Sequence, residues 1–135
     1  MLTRLVAAVA VLVSAAVHLW LWWSEGYRDI DVIGPAFLVN AVAGVVIAVL
    51  LLTWRHWGPP LLAVGFGAAT LGSFTVSTTV GLFGVNERWS GGYVWAAAVS
   101  EALAILAGVL ALWREGYLGR GQESPEVRSG QSSTD

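Results

Sequence analysis

Two ionisable side chains, His18 and Glu101, lie inside the long apolar stretches of this sequence, and both could do chemistry. An imidazole and a carboxyl within reach of each other can share a proton, act as general acid and base, or hold a polar ligand. Uncharged polar residues accompany them in the two other stretches. The candidate polar cluster consists of His18, Asn40, Thr70, Ser73, Ser77 and Glu101.

Each member of the candidate polar cluster also has a structural interpretation. Hydroxyls in apolar helices usually donate to a carbonyl one turn earlier, and a single asparagine such as Asn40 often joins two helices. His18 is near enough to the end of its stretch to reach water at the membrane surface. Glu101 is about eight residues inside its stretch and must be protonated, paired or hydrated there. Its simplest structural partner is His18.

Other kinds of site are excluded by residue type. The chain has no cysteine, and its two histidines, His18 and His56, are predicted at opposite faces of the membrane. A zinc site of the usual ligand set and a bis-histidine haem within one chain therefore cannot form. The sequence contains no phosphate loop, dinucleotide fingerprint or nucleophile elbow. We predict no catalytic set, no metal and no cofactor.

Four apolar stretches must position these residues. Each has roughly 19 to 23 residues, and about 20 residues at a rise of about 1.5 Å cross a hydrocarbon core of about 30 Å. Only a helix satisfies its own backbone in lipid over that length. The predicted transmembrane helices span residues 5–23, 34–54, 61–83 and 93–113. They would form one domain over residues 1–117, followed by a polar segment, 118–135, predicted to be a disordered cytoplasmic tail.

The composition agrees with lipid as the solvent. Hydrophobic residues make up 56% of the 135 residues and charged residues only 12%, whereas a soluble domain has about 25% charged residues. The net charge of -2, without a basic cluster, argues against nucleic acid as a partner. All seven basic residues are arginine, which is typical of a GC-rich bacterial genome.

The arginines set the predicted orientation, and the tryptophans support the predicted helix ends. The positive-inside rule assigns the arginine-rich side of the bundle to the cytoplasm, and the tryptophans gather near the helix ends as an aromatic belt does. One side carries Arg4, Arg55, Arg114, Arg120 and Arg128, and the other carries Arg28 and Arg88. We therefore predict a four-helix transmembrane bundle in the bacterial inner membrane with both termini in the cytoplasm. A cleaved signal peptide over residues 1–17 is the less favoured alternative, because the apolar stretch continues to Trp23.

The helical rise places the polar residues at one level of the membrane. Measured from the predicted outer end of each helix, His18 lies about 7 Å deep, Asn40 about 9 Å and Glu101 about 12 Å. The hydroxyls from Ser73 to Thr79 lie about 6 to 15 Å deep, and the inner half should have no polar side chain. Small residues share helix faces with the polar ones, so these faces should meet at the bundle centre. We predict that His18 and Glu101 face each other or share a water in an outward-open pocket.

Short segments from all four predicted helices carry a likeness to known proteins. They are His18-Leu-Trp, Gly26-Tyr-Arg, Ile33-Gly34, Phe37-Leu-Val-Asn40, Gly81-Leu-Phe-Gly and Glu101-Ala. In these segments the chain resembles a group of uncharacterised small four-span membrane proteins of high-GC actinobacteria. The resemblance covers the four helices but not the tail. It implies a four-helix fold and no particular activity.

Residues 37–44 and 74–78 are similar to segments of the small four-helix fluoride channels. That resemblance implies a pore lined by Asn40, Phe74, Thr75, Ser77 and Thr78. The sequence departs from the channels in helix 1, where it has His18 and no glycine-rich motif ending in arginine. It also departs in its arginine bias, because the channels assemble as antiparallel pairs, which require a weak bias.

The function that the sequence favours is a non-enzymatic accessory or interaction subunit in the cell envelope, because the loops are short and a catalytic set is missing. The alternative is a small transporter or channel that uses the outward-facing polar layer. An enzyme acting on a lipid or a quinone, with Glu101 and His18 as acid and base, is the third hypothesis. The expected partners are the lipid bilayer and either another membrane protein or a second copy of the chain.

Overall fold

The computed structural model describes residues 1–119, which form four long helices joined by short loops. The helices are α1 (Leu2–Ser24), α2 (Ile33–Thr53), α3 (Gly58–Thr79) and α4 (Gly92–Arg114). All four are long and apolar enough to cross a membrane, and residues 1–119 contain no β-strand. The predicted fold, a multi-pass bundle of four transmembrane helices, is confirmed. Of the predicted tail, residues 120–135 lie outside the described part of the chain.

The helices run alternately up and down. Arg4 at the start of α1 contacts residues at the end of α2 and just after α4, so these ends lie together. We call this the inner end, following the predicted orientation, and the opposite end the outer end. The outer end carries the loop between α1 and α2, with a single turn of 3-10 helix at Tyr27–Asp29, and the loop between α3 and α4.

Helix α3 differs from its predicted bounds at both ends. It begins at Gly58 because Pro59 and Pro60 occupy the first turn, where no backbone donor is needed. It ends at Thr79, four residues before the predicted end, because Gly81 adopts a left-handed conformation with φ of 81°. The apolar residues that follow form a tight turn in which Leu82 and Val85 exchange backbone hydrogen bonds of 2.8 and 2.9 Å. Hydropathy alone cannot distinguish such a turn from one more turn of helix.

Helix α1 is the centre of the bundle and packs against both α2 and α4, while α3 packs mainly against α4. Helices α2 and α3 contact each other much less. The buried apolar core lies in the inner half and is rich in alanine, which allows close approach of the helices. Its members are Ala7, Ala8, Ala10, Val11, Ile47, Ala48, Leu51, Ala63, Phe66, Ala104 and Ala107.

Gly44 marks the closest approach of α1 and α2. A Cβ added there would lie 2.6 Å from the Cβ of Ala15 and 2.9 Å from the carbonyl oxygen of Val11. The two backbones therefore touch at mid-membrane. Below this level the interhelical space is filled, and above it the helices leave room for a cavity.

A buried arginine, which lies just before the predicted start of the first span, closes the inner end. Arg4 is 1% exposed and forms a bidentate ion pair with Glu115, with distances of 2.6 Å from Nε to Oε1 and 2.7 Å from Nη2 to Oε2. The same guanidinium donates to the carbonyls of Trp54 at 3.0 Å and His56 at 2.7 Å. It binds carbonyls at and just after the end of α2, where a cation is favoured. The Arg4 guanidinium lowers the pKa of the Glu115 carboxyl, mainly through the hydrogen bond.

Candidate functional site

One cavity of about 420 Å³ occupies the outer half of the bundle and is lined by all four helices and both outer loops. Every member of the candidate polar cluster lines it: His18, Asn40, Thr70, Ser73, Ser77 and Glu101. Aromatic rings form much of the remaining wall: Tyr27, Phe37, Phe66, Phe74, Phe83 and Tyr93. The cavity has the size and the mixture of apolar wall and few polar groups that small-molecule sites usually have.

The cavity lies between α2 and α3, the pair of adjacent helices with the weakest contact. Asn40 and Thr70 join these helices at mid-depth, where Asn40 Nδ2 donates to Thr70 Oγ1 at 2.9 Å. Above that bond, five residues between 32 and 39 line one side of the cavity, and Ser73, Phe74 and Ser77 line the other. The upper part of the cavity therefore lies between α2 and α3 in the outer half of the bundle.

The two outer loops are joined over the cavity by a hydrogen bond of 2.5 Å from the Tyr27 hydroxyl to Glu87 Oε1. The Tyr27 ring stacks on Phe37 with a centroid separation of 4.7 Å. Burial and the bond to Glu87 raise the pKa of the Tyr27 hydroxyl, so it stays a donor. The Glu87 backbone also donates to Ser77 Oγ at 3.2 Å. This tie holds the loops at the rim of the cavity.

Glu101 and His18 meet through a third residue, Ser14. The Ser14 hydroxyl donates to Glu101 Oε1 at 3.1 Å, and His18 Nδ1 lies 2.8 Å from the Ser14 carbonyl oxygen. Among residues 1–119 no direct hydrogen bond joins His18 to Glu101, and both contact Ser14, Glu101 at its hydroxyl and His18 at its main-chain carbonyl. Glu101 is 2% exposed and His18 8% exposed. Both are thus held away from the lipid.

Ser14 was not predicted as a site residue, although one signal pointed to it. It precedes His18 by four residues and so shares its helix face, where the sequence suggests only a small packing residue. Ser14 is fully buried, and its hydroxyl finds the carboxylate of a helix 87 positions away. Tyr27 and Glu87 were missed for a different reason, because loop residues in a sequence give no indication of which other loop they will contact.

The bond to Ser14 also fixes the tautomer of His18. A carbonyl oxygen only accepts, so Nδ1 must carry the hydrogen that points to the Ser14 carbonyl. In the neutral ring Nε2 is then an acceptor, and it has no hydrogen-bond partner in the described part of the chain. The ring edge contacts Phe37, with centroids 4.8 Å apart, which keeps the imidazole against the cavity wall.

The amide of Asn40 is oriented by the same kind of argument. The Thr70 hydroxyl donates to the Phe66 carbonyl at 2.7 Å, so it can only accept from Asn40, and the atom facing it must be Nδ2. Asn40 Oδ1 therefore points away from Thr70. It is buried and has no hydrogen-bond partner among residues 1–119. A buried acceptor without a hydrogen-bond partner is costly. Here the acceptor borders a cavity, and a molecule bound in that cavity can supply the missing donor.

The hydroxyls of α3 are held by main-chain carbonyls. Ser73 donates to Ala69 at 2.7 Å and Ser77 donates to Val85 at 2.8 Å. Thr75 and Thr78 do not line the cavity, although the fluoride-channel resemblance placed them in a pore. Of that implied track only Asn40, Phe74 and Ser77 line it.

The polar atoms left over in the cavity are mainly acceptors. Glu101 Oε2, His18 Nε2 and Asn40 Oδ1 have no donor within the described residues. The hydroxyl hydrogens of the α3 residues are already used. No group of three metal-ligating side chains comes together anywhere in residues 1–119.

Comparison with known proteins adds no relative, since no family model, curated protein or solved structure matches the chain.

Proposed function

We propose that this protein binds a small amphiphilic ligand in the outer half of the bacterial inner membrane, as a carrier or a non-enzymatic binding subunit does. The observation that supports this most is the convergence of unpaired acceptor atoms from α1, α2 and α4 in one aromatic-lined cavity. Mostly apolar walls with a few placed polar groups are the usual form of a small-molecule site. A cavity between helices is also reached laterally by a molecule that partitions into lipid.

The closed inner half favours a binding site over an open channel. Below the cavity the alanine-rich core fills the space between the helices. At the inner end, Arg4 joins α1 to the carbonyl ends of α2 and to Glu115 after α4. Transport by this bundle would therefore require the inner half to open, as a carrier does.

The hydrogen-bond directions also favour binding over catalysis. An activated serine donates its hydrogen to a base nitrogen, whereas Ser14 donates to Glu101 Oε1. His18 Nδ1 carries a hydrogen toward the main chain and cannot accept the serine proton. Glu101 and His18 acting as acid and base on a lipid or a quinone remain the weaker hypothesis.

The accessory-subunit prediction is compatible with this proposal, because a subunit of an envelope assembly can carry a ligand site. A membrane-protein partner or a second copy of the chain stays a prediction. The two ideas separate experimentally, since one concerns what fills the cavity and the other what covers the lipid-facing surface.

The test is extraction of the protein into nanodiscs directly from its native membrane, followed by mass spectrometry of small molecules. The variant Ala97→Leu fills part of the cavity, and the control Ala96→Leu changes the neighbouring position, which lines the lipid-facing groove between α1 and α4. We expect a compound that is enriched with the wild type and with Ala96→Leu and lost with Ala97→Leu. Equal small-molecule content in all three preparations would contradict the proposal. A protein recovered in fixed ratio with all three would support the accessory-subunit prediction.

A further inference from the structure

We propose that the ligand of this cavity is a protonated amine with an apolar body. The inference rests on the proposed function and names the chemical class that the cavity would select. It follows from the charges that line the cavity, from the atoms that lack partners and from the aromatic wall.

The charges that line the cavity are of one sign. Glu101 lies in its wall and Glu87 at its rim, while none of the lining residues is lysine or arginine. Arg28 faces Asp29 outside the cavity at 3.8 Å, and Arg4 is at the opposite end of the bundle. A carboxylate inside a membrane needs a proton, water or a counter-charge, and a cationic ligand supplies the last of these.

The unpaired atoms require hydrogen-bond donors. Glu101 Oε2, Asn40 Oδ1 and His18 Nε2 are acceptors without a donor within residues 1–119. An ammonium group has several N–H donors on one charged atom and can serve acceptors in more than one direction. A quaternary ammonium carries the same charge without N–H, so it leaves these acceptors unpaired. An anion would be repelled by the carboxylates of the cavity and would find few hydrogen-bond donors in its wall.

The aromatic wall suits the rest of such a molecule. Tyr27 and Phe37 stack as one surface, and Phe74 lies edge-on to Trp89 with centroids 4.6 Å apart. Phe66 forms the floor beneath Thr70. Aromatic faces attract a cation that has left water, and they bury an apolar chain at the same time. The cavity therefore favours a ligand that combines a positive charge, hydrogen-bond donors and an apolar surface.

The experiment measures binding of four matched probes to the protein in phosphatidylcholine nanodiscs by calorimetry, with empty nanodiscs as the blank. The probes are 4-phenylbutylamine, 4-phenylbutanol, 4-phenylbutyltrimethylammonium and 4-phenylbutyrate. We expect the amine to bind about tenfold more tightly than the alcohol, because its positive charge pairs with the Glu101 carboxylate in addition to donating hydrogen bonds. The quaternary probe should fall between them, and the carboxylate should bind most weakly.

The matched variants are Glu101→Gln in the cavity and Glu25→Gln in the outer loop, which loses the same charge but does not line the cavity. Glu101→Gln should reduce amine affinity to about that of the alcohol, while Glu25→Gln should leave the affinities of both probes unchanged. Should Glu101→Gln fail to fold, the ranking of the four probes on the wild type decides alone.

Two failures can be told apart. Amine and alcohol binding alike, or the carboxylate binding best, would overturn the amine inference and leave a ligand site in place. If none of the four probes binds and native extraction yields no compound, the proposed function fails together with the inference.

Discussion

Arg4 shows how one buried guanidinium can hold three helix ends together. Its planar donors meet a carboxylate on one side and the carbonyls of Leu51, Trp54 and His56 on the other. A lysine has no such fork and could not serve them all. The ion pair is not simply a surface contact, because Arg4 is almost completely buried. Its loss would leave several acceptors unpaired at once.

We expect Arg4→Met to lower the free energy of unfolding in detergent by about 3 kcal/mol, because it breaks a buried charge pair from one side. Glu115→Gln should cost about 1 kcal/mol, since the Glu115 side chain is 28% exposed and water can replace part of the bond. Arg114→Met, at an exposed position of the same end, is the control and should cost less than either. Equal losses for Arg4→Met and Arg114→Met would show that charge at this end matters and the network does not.

The pH dependence of this ion pair follows from the Glu115 pKa, which Arg4 lowers from its ordinary value of 4.5. The ionised form is thus favoured by folding, and its contribution to stability is complete above pH 4.5. It is lost as the pH falls through the lower folded pKa. The difference in unfolding free energy between wild type and Glu115→Gln should therefore shrink on acidification below that value. A difference that stays constant from neutral to acid pH would contradict the pair.

Ser14 gives a further prediction at the same scale. Its hydroxyl donates to Glu101 Oε1 and lies 3.4 Å from His18 Nδ1, so coupling of the two side chains through the serine depends on that hydroxyl. The variants His18→Ala and Glu101→Ala should be non-additive by about 1 kcal/mol in the wild type. In a Ser14→Ala background the losses in unfolding free energy caused by the two substitutions should be additive. Coupling that survives removal of the serine would mean that the two side chains interact directly or through water.

At the scale of elements, α3 and α4 cross at Gly67, directly below the cavity. A Cβ added there would lie 2.5 Å from the Glu101 carbonyl oxygen and 2.8 Å from Ile105 Cγ1. Gly65, two positions earlier on the same helix, has nothing within 4 Å of an added Cβ. The two glycines look alike in the sequence and have different surroundings. Only Gly67 positions the backbone that carries Glu101.

This pair gives an internally controlled test of helix packing. Gly67→Ala should lower the free energy of unfolding by about 1–3 kcal/mol, because the crossing must widen to admit the methyl group. Gly65→Ala should be neutral or stabilise by up to about 1 kcal/mol, the helix propensity gained on replacing glycine. Both are measured by thermal unfolding in the same detergent. A neutral Gly67→Ala would contradict the close crossing of α3 and α4.

Considered as a whole molecule, the bundle is polarised between a filled inner half and an open outer half. The core and the Arg4 network lie at one end, and the cavity with its tied loops lies at the other. The direction of this polarity in the membrane determines which compartment supplies the ligand. The arginine bias predicts this direction, and a labelling experiment can measure it.

The absence of cysteine makes that measurement simple, because single cysteines can be introduced without background labelling. A membrane-impermeant maleimide should label Ser90→Cys in the outer loop of intact spheroplasts. It should label Thr53→Cys at the inner end only after the membrane is opened. The reverse pattern would place the cavity toward the cytoplasm. Partial labelling of both in intact cells would indicate the dual topology that the fluoride-channel resemblance implies.

The sequence by itself determined the number of helices and the level of the polar residues. A stretch of about 20 apolar residues satisfies its backbone in lipid only as a helix, whatever its neighbours are. Helical rise then sets the depth of His18, Asn40 and Glu101 from sequence position alone. Both are local properties. For the same reason hydropathy misplaced the end of α3, where a left-handed glycine terminates the helix within an apolar stretch.

Only the tertiary structure decided which atoms are paired. Ser14 joins Glu101 across 87 positions, and Arg4 joins Glu115 across 111. Such contacts depend on how the helices are rotated and at what angle they cross. Many small packing interactions together determine this geometry, so it cannot be predicted from any single residue. Two identical glycines can therefore differ in role, and a serine read as a small packing residue can orient a carboxylate. The unpaired acceptors of the cavity follow from those pairings, so the chemistry of the site emerges only when the four helices are placed together.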